Sequence, residues 1–500
     1  MVIKKITNLF PSLRIRDLMN RAKPQSVMRS PAVDLNPTLS DIIPSTDYRP
    51  LEEIVSGVIG TSAVNAGTKL GLFRELMSGP RTVAELSQKL GIAERPIDIL
   101  LTTYQGFNLT EAKAPDRYSL TPEAERYLSP SSPDNVLGKL KIAEKLWKTA
   151  RIGDRGAGFK LITLGAKMQG QMLKDIFGVT KTAALVMGHQ SRIFDTLQKG
   201  MSRIEVLAQR HNFTLPEARQ LLAALLELGL VRDYHPDVFC LSELTHDNLD
   251  RSKPNYFGYT VDMVAAPWNK TLSDEIVRSA RVNGPVISDS GNIWQDHMSD
   301  QEAARFFARN MFNGSIQPGQ AISDKLPDLT ETKLLLDVAG GPGAIPIAIL
   351  KDRPFSRAIV TDVAPTDYGQ SMAELFGVGK RLEFRRSDMF TEPFPSGADC
   401  VLISQIIHDW SDSKNQALVH KIFKYLPPGG RVLVHERLFD ADRKGPLMTT
   451  LQNVFMLLWT EGRQYTENEL QALLQSAGFE AGSAVPTAGG FSVMTGVKRS

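Results

Sequence analysis

From Lys333 to the C-terminus, short apolar runs alternate with stretches of helical periodicity, and this alternation leaves few folds open. Segments 334–338, 358–361, 382–385, 400–404 and 431–435 read as strands, and 345–351, 370–376, 414–425 and 467–477 as helices. Strands separated by helices pair in parallel, and the sheet is covered on both faces. Such sheets bind ligands beyond the carboxyl ends of their strands. The first strand runs into Asp337-Val-Ala-Gly-Gly-Pro-Gly343 just before a helix, where glycines let backbone approach a ligand closely. Asp362 closes the second strand, a place from which a carboxylate accepts ribose hydroxyls. The turn alone is ambiguous, because Gly341-Pro-Gly-Ala-Ile-Pro346 departs from a dinucleotide-binding pattern only in its last residue.

Three further motifs narrow the choice. Asp388-Met389-Phe390 follows the third strand, where an acid suits an adenine amino group and Met389 its ring. Ile407-His408-Asp409-Trp410 follows the fourth strand, and Pro427-Pro-Gly-Gly430 leads into the strand ending at His435-Glu436. Together these motifs resemble the S-adenosylmethionine-dependent O-methyltransferase family of plant caffeate, animal hydroxyindole, and bacterial carotenoid and antibiotic enzymes. The likeness runs from about Phe306 to the C-terminus, and Asp442-Arg-Lys-Gly-Pro-Leu447 with Thr460-Glu-Gly-Arg463 is especially similar to the hydroxyindole enzymes.

The resemblance implies an α/β, Rossmann-like class I methyltransferase domain and S-adenosyl-L-methionine as cofactor. It puts Ala339 and Gly340 at the methionine end, Asp362 at the ribose, Asp388 and Met389 at the adenine, and Ser404 near the cofactor and active site. His408 resembles the family's general base, and Glu436 one of two acids that steady it. The second acid falls on Gln464, which accepts a hydrogen bond but cannot stabilise an imidazolium by charge; Glu461 or Asp409 is a candidate to compensate. Ala339 stands where the family commonly has glycine. No metal is required, since a sulfonium methyl is already electrophilic, and the protein has to align an acceptor and remove its proton. His435 alternates with Glu436 on the strand and reads as structural.

The first two thirds hold a duplication. Phe73 and Phe194, Gly79 and Gly200, Leu86 and Leu207, Tyr118 and Phe239, and Leu128 and Leu249 are pairs 121 residues apart, with a short gap expected mid-repeat. Within each copy, helix, turn, helix and a β wing suggest a winged helix, and 82–90 opens with a capping-box pattern. Leu70-Gly-Leu-Phe73 and Tyr118-Ser-Leu-Thr121 resemble the family's dimerisation domain. The expected organisation is a basic extension and linker (1–55), winged-helix copy 1 (56–135), a solvated amphipathic connector broken at 153–158 (136–187), winged-helix copy 2 (188–255), a helical connector lining the substrate pocket (256–330) and the cofactor-binding catalytic domain (331–500). Trp268, Trp294, Phe306, Phe307, Met311 and Phe312 mark the last connector as core with some pocket lining.

Composition sets the remaining limits. Cys240 and Cys400 form neither a disulfide framework nor a metal cluster, and a cytoplasmic setting is expected. No apolar run reaches the roughly 18 residues of a membrane span. Residues 1–33 carry seven Lys and Arg against one acid, a pattern of targeting or peripheral membrane contact. The expected partners are a small hydrophobic molecule and a second copy of the chain, with no nucleic acid. A winged helix invites a DNA-binding reading, but 94–107 carries only Arg95 as a cation and 216–230 only Arg219. Besides O-methylation, C- or N-methylation, a methyltransferase-like protein of other chemistry and a nicotinamide oxidoreductase stay open.

Overall fold

A proline in the first turn and a left-handed glycine at the far end delimit the first long helix, α1 (Arg49–Leu70), with Gly71 at φ 84°. This computed structural model describes residues 46–499 apart from 115, 267–271, 289–292, 355 and 366. The basic segment 1–33, most of the proline-rich linker and Trp268 lie outside the described residues.

After α1 come β1 (Arg81–Thr82), α2 (Val83–Leu90), α3 (Glu94–Gly106), β2 (Thr110–Ala114) and β3 (Arg117–Leu120), the strands paired antiparallel in the order β1-β3-β2. The capping box forms: Glu85 N–H donates to Thr82 Oγ1 and Thr82 N–H to Glu85 Oε2. Helices α4 (Leu137–Ala150), α5 (Arg155–Gly165) and α6 (Val179–Gln190) lead to the second copy: β4 (Ser202–Arg203), α7 (Ile204–Arg210), α8 (Leu215–Glu227), β5 (Val231–His235) and β6 (Val238–Leu241), again ordered β4-β6-β5.

The two copies keep one register throughout, so the gap expected mid-repeat is absent. Left-handed backbone at Gly71, Gly79, Gly91, Asn108 and Asp116 returns 121 residues later at Arg192, Gly200, Asn212, Gly229 and Asp237. The irregularity between Ala112 and Ala114 returns between Asp233 and His235. The copies also start earlier than their side-chain matches suggest, because α6 lies 121 residues after stretch 58–69 of α1.

The connector is a correction. The expectation was a solvated link broken at 153–158, yet Gly156 and Gly158 lie inside α5, which Asp154 caps. In α6 only Lys181 and Gln190 escape full burial, and the helix packs along α1. Gly57 and Gly178 make this contact, a Cβ on Gly178 falling 2.7 Å from Gly57 Cα. The buried polar side chains of α6 are satisfied there: Thr182 Oγ1 donates to Ile54 O, and His189 Nε2 lies 2.7 Å from Asp262 Oδ1.

Helices α9 (Gly258–Ala265), α10 (Leu272–Val282) and α11 (Gln301–Lys325) then lead to β7 (Leu334–Val338), α12 (Ala344–Asp352), β8 (Arg357–Asp362), β9 (Leu382–Arg386), β10 (Cys400–Ser404), α13 (Asp412–Tyr425), β11 (Arg431–Glu436), α14 (Leu447–Trp459), β12 (Glu480–Ala481) and β13 (Ser492–Val497). The sheet runs β12-β13-β11-β10-β7-β8-β9, with Val485–Pro486 also pairing to β13. From β9 to β11 all neighbours are parallel; β13 is antiparallel to β11, an edge the sequence reading did not include. Alternate residues serve opposite faces: Leu335, Leu402 and Leu433 enter one apolar cluster, and Leu336, Val401 and Val434 the other. Strand order reverses between β7 and β10, which opens a crevice at the carboxyl edge. Among the described residues no helix is long and apolar enough to cross a membrane.

Candidate active site

Every candidate residue except Gln464 comes from the carboxyl edge of the parallel strands. Across the sheet, Glu436 ends β11, Ser404 ends β10 with His408 just beyond, Ala339 and Gly340 follow β7, Asp362 ends β8, and Asp388 follows β9. All but Glu436 line one cavity of about 610 Å³, ample for a small-molecule ligand.

The cofactor half is acidic. Asp337, Asp362 and Asp388 line it together. Asp362 Oδ2 accepts the Gly341 N–H at 3.0 Å and Oδ1 that of Ala364 at 2.9 Å, tying the glycine turn to β8. Burial raises the Asp362 carboxyl, against these backbone donors. Asp337, which the motif contains but the sequence reading left without a role, is 2% exposed with Oδ1 unpartnered. Burial, then the Asp362 charge, pushes it well above the carboxylate range. Gly340 has no room for a side chain, since a Cβ would fall 2.0 Å from Asp337 Oδ2. Ala339 holds a left-handed φ of 54°, where glycine is the unstrained choice. Asp388 Oδ1 accepts the Phe390 N–H at 2.8 Å, and Met389 is buried beside it.

This half fits S-adenosylmethionine. An unpaired buried carboxylate wants a cationic or N–H-bearing ligand, and three carboxylates suit a molecule carrying an ammonium and a sulfonium. The same acids repel a pyrophosphate, which argues against a nicotinamide dinucleotide.

His408 is 5% exposed, and its Nδ1 lies 2.5 Å from Glu436 Oε2. Glu436 is itself fixed, with Oε1 accepting the N–H groups of Ile406 and Ile407 at 2.9 and 2.8 Å. Nδ1–H therefore donates to Glu436, leaving Nε2 as the basic nitrogen. Asp409 Oδ1 stands 3.7 Å from Nε2. Burial alone would lower the imidazole; the charges of Glu436 and Asp409 more than offset it and raise His408 to about 9. Burial pushes Asp409 up to about 7, opposed by His408.

Ser404 Oγ and His435 Nδ1 are 2.9 Å apart, and His435 stacks on Phe491 with ring centroids 4.9 Å apart. Burial, then the Arg437 charge, lowers His435 to about 3, so it is neutral at physiological pH. Gln464 is not brought onto the imidazole. Its side chain is fully buried with neither amide atom hydrogen-bonded, while its N–H donates to Asn453 Oδ1. Glu461 is likewise elsewhere, on Lys414 and the Ser411 N–H. Of the two stand-ins considered for the missing acid, only Asp409 reaches the histidine.

Several lining residues escaped the sequence reading. Tyr48 and Glu52 arrive from the start of α1, and Arg437 donates to Glu52 Oε2 at 2.5 Å and to Gly489 O at 2.9 Å. Asn313 Nδ2 and Gln452 Oε1 are buried without partners in residues that line the cavity. Trp294, Phe307 and Met311, which the sequence named as connector markers with some pocket lining, line it as well, whereas Phe312 is core; Phe455 and Trp459 of α14 are further lining residues that the sequence did not point to. Of the lining residues that the sequence reading missed, only Arg437, beside Glu436, had a local signal.

The fold and its edge of acids, histidine and glutamate define a class I, S-adenosylmethionine-dependent methyltransferase. Residues 275–480 match the O-methyltransferase domain family. The chain is 31% identical over 329 residues to 3-hydroxy-5-methyl-1-naphthoate 3-O-methyltransferase of Streptomyces sahachiroi, covering 64% of this chain and 93% of that one. Among solved structures it is similar to an O-methyltransferase family 2 protein from Planctomyces limnophilus in complex with apigenin (TM-score 0.58, 21% identity, 93% of this chain and 99% of that one). It is also similar to human N-acetylserotonin methyltransferase in complex with SAM (TM-score 0.56, 23% identity, 64% and 94%). The chain belongs to the S-adenosylmethionine-dependent O-methyltransferase family.

Proposed function

We propose that the protein methylates a hydroxyl of a small, flat, apolar molecule, with His408 as the base that takes the hydroxyl proton. One observation carries this reading: a buried imidazole at the cavity, gripped through Nδ1 by a glutamate that two backbone N–H groups hold still. When bound, S-adenosylmethionine supplies an electrophilic methyl group. The residues proposed to hold it are Ala339, Gly340, Asp337, Asp362, Asp388, Met389 and Ser404.

On the acceptor side, Phe307, Phe455 and Trp459 sandwich a flat ring system, and Nε2 of His408 receives the proton as the hydroxyl oxygen is methylated. Glu436 and Asp409 balance the imidazolium that results. Gln464 stays outside this chain of contacts. Asn313 Nδ2 and Gln452 Oε1 need partners, so an acceptor with a carbonyl or second hydroxyl binds better than a bare phenol. The naphthoate substrate in the name of the Streptomyces relative has this character.

The test is methyl transfer to a panel of hydroxynaphthoates, hydroxyquinones, flavonoids and hydroxyindoles, with the methylated atom located by mass spectrometry and NMR. A carbon- or nitrogen-methylated product, or no transfer to any phenol, would sink the reading.

A further inference from the structure

A helix packed against its own equivalent at a pair of equivalent residues lies on a two-fold axis. Gly57 and Gly178 are 121 residues apart, and each blocks the Cβ of the other through backbone atoms. On either side, Thr182 Oγ1 donates to Ile54 O at 2.8 Å, and its counterpart Thr61 Oγ1 accepts the Val179 N–H at 3.2 Å. The pairing inside each repeat is also duplicated: Gly67 is filled by Tyr104 and Phe73, Gly188 by their equivalents Leu225 and Phe194.

Each repeat sends a later helix across to the other. Helix α5, after repeat 1, packs on α6 and α8 of repeat 2; helix α10, after repeat 2, packs on α1 and α3 of repeat 1. Such reciprocal exchange is the geometry of an isologous interface between two copies. Here both copies sit on one chain.

The two sides differ in one respect. On repeat 1, α3 docks on α14 of the catalytic domain, with Arg95 donating to the carbonyls of Met456, Thr460 and Gly462. On repeat 2 the equivalent α8 leaves Leu215 and Leu226 exposed, and Arg219 pairs with Asp237. Repeat 2 thus stands as a partner without a catalytic domain. The cavity still depends on it: α9, which with the residue before it brings Phe257, Thr260 and Val264 to the lining, is tied to α6 through His189 Nε2 and Asp262 Oδ1 at 2.7 Å.

We propose that repeat 2 is the dimerisation partner of repeat 1 carried in cis, so that one chain builds one complete methyl-transfer site without a second subunit. The homodimer expected from the sequence is replaced by an internal pseudo-dimer. This inference does not depend on the acceptor or on His408 acting as base.

The full-length chain is to be weighed by light scattering at micromolar and mass photometry at nanomolar concentration, and S-adenosylhomocysteine binding counted by calorimetry. The expected result is the 55.2 kDa of one chain throughout, binding one ligand. A stable assembly of twice that mass, or one ligand per two chains, would overturn the proposal. In parallel, Gly178→Leu should lower the melting transition that S-adenosylhomocysteine stabilises, by at least about 5 °C. If that variant does not fold, Gly178→Ala replaces it. An unchanged ligand-linked transition in the folded variant shows repeat 2 to be an appendage and refutes the idea.

Discussion

The residues around His408 turn a weak general-purpose base into a strongly held cation. With its folded value raised to about 9, the imidazole stabilises the protein most fully below its unfolded value near 6.5, and that stabilisation is lost as pH rises through 9. The cofactor-free protein should therefore melt lower at pH 9.5 than at pH 6.5, by up to about 3 kcal/mol, and His408→Gln should flatten that slope in calorimetric melts. Catalysis runs the other way, because only the neutral imidazole accepts a proton. Turnover should rise with pH through neutrality and level off at or below about 9, since a bound cation lowers the imidazole again. His408→Gln should cut turnover roughly 10²–10⁴-fold at pH 7 while S-adenosylmethionine affinity holds. Equal turnover in the variant would remove His408 as base.

Two neighbours separate binding from scaffolding. Asp362→Ala removes two backbone anchors together with the acceptor proposed for the ribose, so calorimetry should show cofactor affinity weaker by about 1.5–3 kcal/mol. Gln464 offers a sharper contrast. Its buried amide is unpaired, so Gln464→Met should stabilise the fold by about 1–2 kcal/mol with turnover unchanged. A fall in turnover would mean that the amide steadies His408 after all.

At the level of elements, what was legible in the sequence was what local chemistry decides. The strand–glycine turn–helix at Asp337, the capping box at Thr82 and the strand ends carrying Asp362 and Glu436 are set within a few residues, and their patterns show it. Helix α6 was misread as part of a solvated connector, because its burial comes from α1, about 120 residues away in the chain. Glu52 was unreadable for the same reason, since its partner Arg437 lies 385 positions downstream. Arg95 shows how an element can serve a site it does not touch. It holds the Gly462 carbonyl, and Gly462 packs so closely on His408 O that a Cβ would fall 2.1 Å away. Arg95→Ala should loosen the α3–α14 contact and lower the melting temperature. A wild-type melt would show the three carbonyls well satisfied by water.

For the whole molecule, positive charge is concentrated at the start of the sequence. Residues 1–33 hold seven Lys and Arg and a single acid, while the rest of the chain is net acidic. Among the described residues, those that line the cavity run from Tyr48 onward, and the contacts that fix His408 come from Glu436 and Asp409. We therefore propose that the first 33 residues attach the enzyme to an anionic surface and leave its chemistry alone. Each basic residue close to such a surface contributes about 1 kcal/mol, and salt screens the attraction within a Debye length of roughly 8 Å. The full chain should sediment with phosphatidylserine-containing vesicles at low salt and release as salt rises, whereas a chain lacking residues 1–33 should stay in the supernatant. Methyl transfer and melting temperature should be the same for both. If the truncated chain binds vesicles as well as the full one, attraction lies in the folded surface; if it loses turnover, the segment belongs to the fold instead.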